Sequence, residues 1–259
     1  MTPEKPIQFN PAMVTALMRD TDPKTQTRRC VGLDSVNASP DIWHKPEWDE
    51  RRRGFMFWFI GDQTHAEFVK SPFVVGGRAW VREAYYQRGH WETHHHLLTK
   101  GGMMKWHFLP DEEFVLFDPP GSQDIRLARN RKDPSTTAWH KRLARFMPRR
   151  YSRTMLEITD VRIERLQNIS EADAKAEGVE PLDFERDERD ETVCPTCGGT
   201  RLHGALGHNL GVMEVDCVDC DTHKKRYRHL WDSINGADPA KCWAANPWVW
   251  AISFKRIEQ

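Results

Sequence analysis

The stretch TMLEITDVRIERLQNISEADAKAEG, residues 154–178, predicts a strand that leads into a short helix. Alternate residues at its start suit one face of a strand: Thr154, Leu156 and Ile158. Residues 170–173, Ser-Glu-Ala-Asp, have the spacing of a capping box, so a helix is expected to begin there. That helix is expected to end near Gly178, because glycine readily adopts the left-handed conformation that terminates helices. The stretch therefore predicts a mixed fold of strands and helices.

Segments nearer the N-terminus predict further strands and one more helix. Residues 7–9, 55–60 and 78–86 have strand composition, and the last of these follows a Gly-Gly turn. Asn10 is suited to cap a helix that begins at Pro11, where proline is well tolerated.

The C-terminal part of the chain predicts a helix over 227–234 and a final strand. Apolar residues alternate along this strand: Trp248, Trp250, Ile252 and Phe254. Such alternation is typical of a half-buried strand, and several separated strands with few helices predict a small β-barrel. Residues 87–146 show little periodic pattern, so we expect a long irregular insertion with local helices there.

Composition predicts a soluble protein with a substantial core. The chain has 259 residues, of which 39% are hydrophobic and 29% charged, and its formal net charge is zero. A neutral chain is not expected to be steered as a whole towards nucleic acid. The N-terminal residues lack the apolar run of a signal peptide, and no stretch approaches the roughly 20 apolar residues of a membrane span. We therefore expect a cytoplasmic protein without a membrane partner.

Charge is unevenly distributed along the chain. Residues 126–153 contain ten Lys/Arg and a single acid, Asp133, whereas residues 180–191 contain seven acids and two arginines. The basic stretch either contacts phosphates or forms a solvated face, and the acidic stretch is typical of a solvated linker.

Two Cys-x2-Cys pairs separated by nineteen residues predict a zinc site: Cys194, Cys197, Cys217 and Cys220. Four thiolates fill a tetrahedral coordination shell, so the predicted zinc is structural rather than catalytic. We assign residues 192–224 to an inserted zinc ribbon, whose contact with nucleic acid is left open. Five basic residues just beyond Cys220 are positioned to offset the charge of the thiolates: His223, Lys224, Lys225, Arg226 and Arg228.

The other two cysteines and the run of three histidines do not predict a second metal site. Cys30 and Cys242 stand alone and are expected to be inert thiols. His94, His95 and His96 are adjacent, and adjacent side chains do not face one point in a helix or a strand.

Six motifs along the chain carry a resemblance to a known family. They are KTQTRR at 24–29, GRAWVRE at 77–83, a strand pair marked by MPR at 147–149 and residues 153–166, ISEADAKAEG at 169–178, LWDSIN at 230–235 and NPWVW at 246–250. In this order they resemble the ASCH family of PUA-like domains, in the larger form common in phage and prophage genomes. The resemblance covers roughly half of the chain, from residue 7 to residue 256. The 87–146 insertion and the zinc ribbon lie outside the minimal family core.

The resemblance implies an α+β fold, a PUA-like small β-barrel with flanking helices, as one domain over 1–259. It also implies that a cleft of this barrel binds RNA or a nucleoside, with DNA as a further partner. We expect Arg28, Arg29, Trp80, Arg82 and Arg149 to contact this ligand. A protein-interaction module is a further alternative, and the oligomeric state is not specified.

One branch of the resembled family hydrolyses N4-acetylcytidine to cytidine and acetate. Its proposed catalytic residues correspond here to Lys24, Thr27 and Glu177. A threonine needs a neighbouring base to act as a nucleophile, and a lysine whose pKa is lowered by burial or by nearby cations can be that base. Glu177 would orient the lysine or protonate the leaving amine. The alternative is that the protein binds RNA or DNA without hydrolysis.

Overall fold

The structure is a computed structural model that describes residues 4–121, 125–127, 134–181, 188–191, 193–206 and 212–258, without the side chains of Gln63 and His95. Its α-helices are α1 Pro11–Leu17, α2 Asp34–Asn37, α3 Glu171–Ala176 and α4 His223–Asn235. Its strands are β1 Glu4–Gln8, β2 Gln26–Arg29, β3 Glu47–Asp49, β4 Gly54–Phe59, β5 Asp62–Lys70, β6 Arg78–Arg82, β7 Tyr85–Leu98, β8 Met104–Pro110, β9 Ile125–Leu127, β10 Ala138–Arg142, β11 Met155–Arg165, β12 Leu202–Leu206, β13 Val212–Asp216 and β14 Trp248–Ile257. Within these ranges no helix has the length and apolarity needed to cross a membrane.

The expected mixed α+β class is confirmed, but the described strands do not form a closed barrel. They form sheets with the orders β1-β6-β11-β14-β2, β8-β7-β10-β9, β3-β4-β5 and β12-β13, and none of these orders returns to its first strand. By the distribution of contacts the chain divides into two compact units. Unit 1 contains residues 1–2, 15–77 and 157–256, and unit 2 contains residues 3–14, 78–156 and 257–259.

In unit 1, strand β14 is buried on both faces, which corrects the expectation of a half-buried strand. Trp248 and Trp250 contact Phe57 and Phe55 of β4, with ring centroids 5.4 and 5.7 Å apart. On the other face, Val249 packs into a cluster with residues of α3 and α4. The apolar face of β14 is therefore buried by a second sheet, so its burial does not require a barrel to close.

The helix starts follow the capping residues predicted from the sequence. The Ser170 hydroxyl accepts a hydrogen bond of 3.0 Å from the Asp173 amide at the start of α3. The Asn10 side chain accepts one of 2.8 Å from the Met13 amide at the start of α1. Both contacts satisfy amides that have no partner within the helix.

In unit 2, residues 87–146 were expected to be irregular with local helices, and this expectation is wrong for much of the described part of the range, although one short 3-10 helix occurs at Ala144–Phe146. Most of β7 and all of β8 and β10 lie in this range, and β7 pairs antiparallel with both of the other strands. Trp91 of β7 lies directly opposite Phe108 of β8, with their ring centroids 5.4 Å apart. Cross-strand aromatic pairs of this kind stabilise a sheet whose other face is polar. The sequence of such a strand shows little alternation of apolar and polar residues.

Candidate functional site

The segment that carries Lys24 is held against the end of helix α3 in unit 1. The Lys24 amide donates to the Ala16 carbonyl, and the Thr25 amide donates to the Ala176 carbonyl, both over 2.9 Å. Gly178, with φ of 78°, lies where a Cβ atom would be 2.8 Å from the Cβ atoms of both Ala16 and Lys24. Glycine is therefore required for this close approach.

Lys24 and Glu177 form a buried ion pair. The Lys24 ammonium donates to the Glu177 carboxylate Oε2 at 2.8 Å and to the Glu177 carbonyl at 2.6 Å. Lys24 is only 1% exposed and Glu177 only 2%. Burial lowers the pKa of Lys24 below its ordinary value; Glu177 opposes this shift, and the charges of Arg29 and Arg28 add to it. The Glu177 carboxylate and carbonyl thus both hold the ammonium in a poorly solvated site.

Arg28 binds the other oxygen of the same carboxylate. It donates to Glu177 Oε1 at 3.1 Å, to Gln26 Oε1 at 2.6 Å and to Glu164 Oε1 at 3.0 Å. Burial lowers the pKa of Arg28, but Glu177 and other neighbours outweigh it, and the pKa is raised. The Tyr227 ring lies 5.8 Å from its guanidinium carbon.

Asp173 extends this buried network towards the surface. It accepts hydrogen bonds from Gln26 at 3.0 Å and from Arg162, which is partly exposed, at 2.8 Å. Burial raises the pKa of Asp173, but these two donors outweigh it, and the pKa lies below its ordinary value. Sequence analysis did not identify Glu164, Asp173 or Tyr227 as residues of the site. The only sequence signal of this network was the alternation of Gln26 and Arg28, which puts both side chains on one face of a strand.

Thr27 is not hydrogen-bonded to Lys24 or Glu177. It is completely buried, and its hydroxyl has no hydrogen-bond partner among the described residues. It lies opposite Ile252 in the β2–β14 pairing, whereas its neighbour Gln26 bonds to Ser253. Because side chains alternate along a strand, Thr27 points away from the face on which Gln26 and Arg28 form the network. Of the three expected catalytic residues, the structure brings together Lys24 and Glu177.

The other expected ligand-binding residues lie in different surroundings. Arg29 is half-buried in unit 1, and burial lowers its pKa while Glu177 opposes the shift. In unit 2, the Arg82 guanidinium lies 4.8 Å from the buried Trp80 ring, and Arg149 forms a 2.9 Å ion pair with Glu4. Within unit 2, Arg82 and Arg149 thus contact different partners.

Unit 2 also presents what we call the arginine–aromatic surface, formed by Arg142, Arg145, Phe146, Arg150 and Tyr151. Phe146 is 54% exposed, and the guanidinium carbons of Arg142 and Arg145 lie 5.9 and 4.9 Å from its ring centre. Arg150 lies 4.9 Å from the ring of Tyr151. Within the described residues these three arginines form no ion pair with an acidic side chain. Residues 128–133 of the basic stretch lie outside the described residues.

The four predicted metal-binding cysteines form one buried cluster in unit 1. The ligand atoms of Cys194, Cys197, Cys217 and Cys220 all lie within 4.8 Å of one another and could bind a metal ion. The Cys194–Cys217 and Cys197–Cys220 sulfur distances are 3.8 and 3.5 Å, which suits a tetrahedral site with metal–sulfur bonds of about 2.3 Å.

The backbone around the cysteine cluster is held by turns and by basic side chains. Gly198 and Gly199 have φ of 64° and 85° in the first knuckle. Lys225 donates to the Val218 carbonyl at 2.6 Å, and Arg226 donates to the Cys220 carbonyl at 3.0 Å. Strands β12 and β13 form the antiparallel hairpin between the two knuckles. Of the assigned ribbon, residues 192 and 207–211 lie outside the described residues, as do residues 182–187 of the acidic stretch.

Two cavities of about 450 Å³ in unit 1 lie apart from the Lys24–Glu177 pair. One is lined by Trp48, Glu50, Arg53, Phe55, Phe73, Val74, Val75 and Val161, and the other by His44, Lys45, Glu47 and Trp58.

Cys30 is buried, and burial raises the pKa of its thiol to about 12, which favours the inert form expected for it.

Comparison with known proteins identifies no relative of this chain. No protein-family model, curated protein or solved structure matches it. The resemblance to the ASCH family therefore rests on the sequence motifs alone.

Proposed function

We propose that this protein binds RNA, and that the arginine–aromatic surface of unit 2 makes the contact. The observation that carries the proposal is Phe146, an exposed ring with the guanidinium groups of Arg142 and Arg145 beside it. Proteins that bind single-stranded nucleic acid combine aromatic rings, on which bases stack, with cationic groups that contact the backbone. Both kinds of group occur here in one short segment.

The charge of this segment supports the proposal. Residues 134–156 contain six Lys/Arg and no Asp or Glu. Two of the six arginine and lysine side chains are held by carboxylates, Arg149 by Glu4 and Arg153 by Glu83. The exposed Arg145 and Arg150 form no such pair among the described residues, so binding a phosphate would not require either to leave a carboxylate.

Replacing Phe146 tests this proposal. Phe146→Ala is expected to weaken binding of a short single-stranded RNA by about 1–3 kcal/mol, the range for loss of one stacked base. Phe114→Ala is the matched control, because Phe114 is also an exposed phenylalanine of unit 2 but packs on Trp139. Fluorescence anisotropy measures both affinities, and a DNA of the same sequence shows whether the 2′-hydroxyl contributes. Equal affinities for the two variants would contradict the assignment of this surface.

A second candidate function is hydrolysis of an N4-acylated cytidine, favoured by the lowered pKa of Lys24 beside Glu177. This proposal requires Thr27, which is buried and points away from Lys24 here, to turn towards it. Neutral Lys24 then accepts the Thr27 hydroxyl proton, Thr27 attacks the amide carbonyl, and the cytosine amine leaves as it takes up that proton from Lys24. Water then releases the acid from Thr27. Since Thr27 is not bonded to Lys24 here, the threonine is the residue to test.

The assay for hydrolysis is release of cytidine from N4-acetylcytidine, supplied as the nucleoside and within an RNA. Lys24→Ala and Glu177→Ala should each nearly abolish turnover if they act as one unit with the nucleophile. Retained turnover in Thr27→Val would exclude Thr27 as the nucleophile. Absence of turnover by the wild-type protein on both forms would exclude the hydrolase function while leaving RNA binding untouched.

We also propose that the ion bound by the cysteine cluster is zinc and that its role is structural. Four sulfur ligands in a tetrahedral arrangement suit zinc and fill its coordination shell. The ion would fix both knuckles at the ends of the β12–β13 hairpin, which has several exposed apolar side chains and little core of its own.

A further inference from the structure

Strands β7 and β8 place imidazole and carboxylate groups on one face of their hairpin. His90, Glu92 and His94 alternate along β7, so their side chains share a face. His107 of β8 lies directly opposite Glu92 in the pairing, and therefore joins this face. His94, His95 and His96 do not face one point because they are neighbours within one strand. Residues on two paired strands can share a face, so this objection does not apply to His94 and His107.

The rings of His94 and His107 are spaced as two ligands of one metal ion would be. Their centroids are 5.3 Å apart and their planes are inclined by 62°. A metal–nitrogen bond of about 2.1 Å places a ring centroid about 3.2 Å from the metal, so two imidazoles at a tetrahedral angle have centroids about 5.2 Å apart. The observed spacing matches this value without movement of the strands.

The nitrogen atoms of these rings show an unmet bonding requirement. Nδ1 of His94 and Nδ1 of His107 are both buried atoms without a hydrogen-bond partner among the described residues. A buried polar atom without a partner is costly, and a bound ion is one of the ways in which this cost is removed.

Carboxylates complete the donor set on this face. Glu92 Oε1 lies 3.3 Å from His90 Nε2, and His90 Nδ1 lies 3.2 Å from Asp111 Oδ1. Glu92 is therefore held beside His90 in this structure, and it leaves this contact if it turns towards the two imidazoles. Lys105 lies opposite His94 in the pairing, but its side chain is exposed and free to extend into solvent.

We propose that His94 and His107 chelate a divalent transition metal ion across the β7–β8 hairpin, with Glu92 as the third protein ligand. Imidazole and carboxylate donors suit Zn²⁺, Co²⁺ and Ni²⁺. Among the described residues only the four cysteines already bring three ligand atoms within 4.8 Å of one another. Binding therefore requires the Glu92 side chain to rotate towards the two imidazoles. This site is independent of the cysteine cluster and of RNA binding.

The test is titration of Co²⁺ into the full-length protein whose cysteine cluster has first been loaded with zinc. We expect one further equivalent to bind without thiolate-to-metal charge-transfer absorption, because its ligands are nitrogen and oxygen. His94→Gln and His107→Gln should each lower this affinity by roughly tenfold or more, or about 1.4 kcal/mol. His44→Gln, which changes an exposed histidine of unit 1, is the matched control.

Far-UV circular dichroism of each variant shows whether the hairpin is folded, so that loss of binding is not loss of structure. Failure of the wild-type protein to bind a second ion would overturn the proposal. Wild-type affinity in either His94→Gln or His107→Gln would also overturn it, since a chelate needs both rings. Uptake of Co²⁺ accompanied by thiolate absorption would mean that zinc had been displaced from the cysteines, and would likewise contradict a separate site.

Discussion

The buried pair of Lys24 and Glu177 predicts an asymmetric response to mutation. Glu177→Gln leaves two buried cations, Lys24 and Arg28, facing a neutral amide whose single oxygen replaces both carboxylate oxygens. Removing one partner of a buried ion pair typically costs about 3–5 kcal/mol, and we expect Glu177→Gln near the upper value. Lys24→Met should lie near the lower value, because Arg28 still holds the Glu177 carboxylate at 3.1 Å.

A double-mutant cycle measures the pairing itself. Lys24→Met combined with Glu177→Gln removes one cation and one anion, and leaves Arg28 its contacts with Gln26 and Glu164. The double variant should therefore cost less than the two single variants together, with a coupling free energy of about 1–3 kcal/mol.

The assay is urea unfolding followed by far-UV circular dichroism at fixed pH and salt. Lys175→Met is the matched control, because Lys175 forms an exposed pair with Asp22 and should change the free energy of unfolding by less than about 1 kcal/mol. Additivity of the two single variants, or a larger loss for Lys24→Met than for Glu177→Gln, would refute the reasoning.

Three further predictions concern glycine, metal and pH. Gly178→Ala should destabilise the protein by about 1–3 kcal/mol more than Gly32→Ala in urea unfolding, because both have positive φ but only Gly178 has no room for a Cβ atom. Cys217→Ser should lower the metal content measured by elemental analysis from about one zinc per chain towards zero, whereas Cys242→Ser should not. Because the pKa of Lys24 is lowered in the folded protein, the unfolded chain keeps this proton to higher pH. Wild-type stability should therefore rise relative to Lys24→Met as pH increases through the folded pKa towards about 10.4, and parallel pH profiles would contradict this.

The sequence predicted those structural features that depend only on residues close together in the chain. Ser170 caps α3 and Gly178 adopts positive φ because each requirement involves only a few neighbouring residues. The two Cys-x2-Cys pairs likewise form a buried cluster, since each pair sets the geometry of its own knuckle.

The features that were missed depend on partners distant in the chain. β14 is buried on both faces because β4 and the helices pack on it, which its own alternation does not specify. β7 beyond Tyr86 gave no strand signal because imidazoles and a carboxylate occupy one face and Trp91 the other. Lys24 and Glu177 are 153 positions apart, and only the motif resemblance suggested a link between them.

The most direct test of RNA binding is the dissociation constant of the wild-type protein for a single-stranded RNA at increasing salt concentration. Phosphate contacts by the exposed Arg145 and Arg150 predict that the logarithm of the association constant falls with a slope of about −1.4 per log unit of salt, at about 0.7 per contact. Arg150→Glu should make that slope shallower by about 0.7 or more, whereas Arg88→Gln, at an exposed position on β7, should leave it unchanged. No binding, or an affinity that does not change with salt, would contradict the proposal that this surface binds RNA.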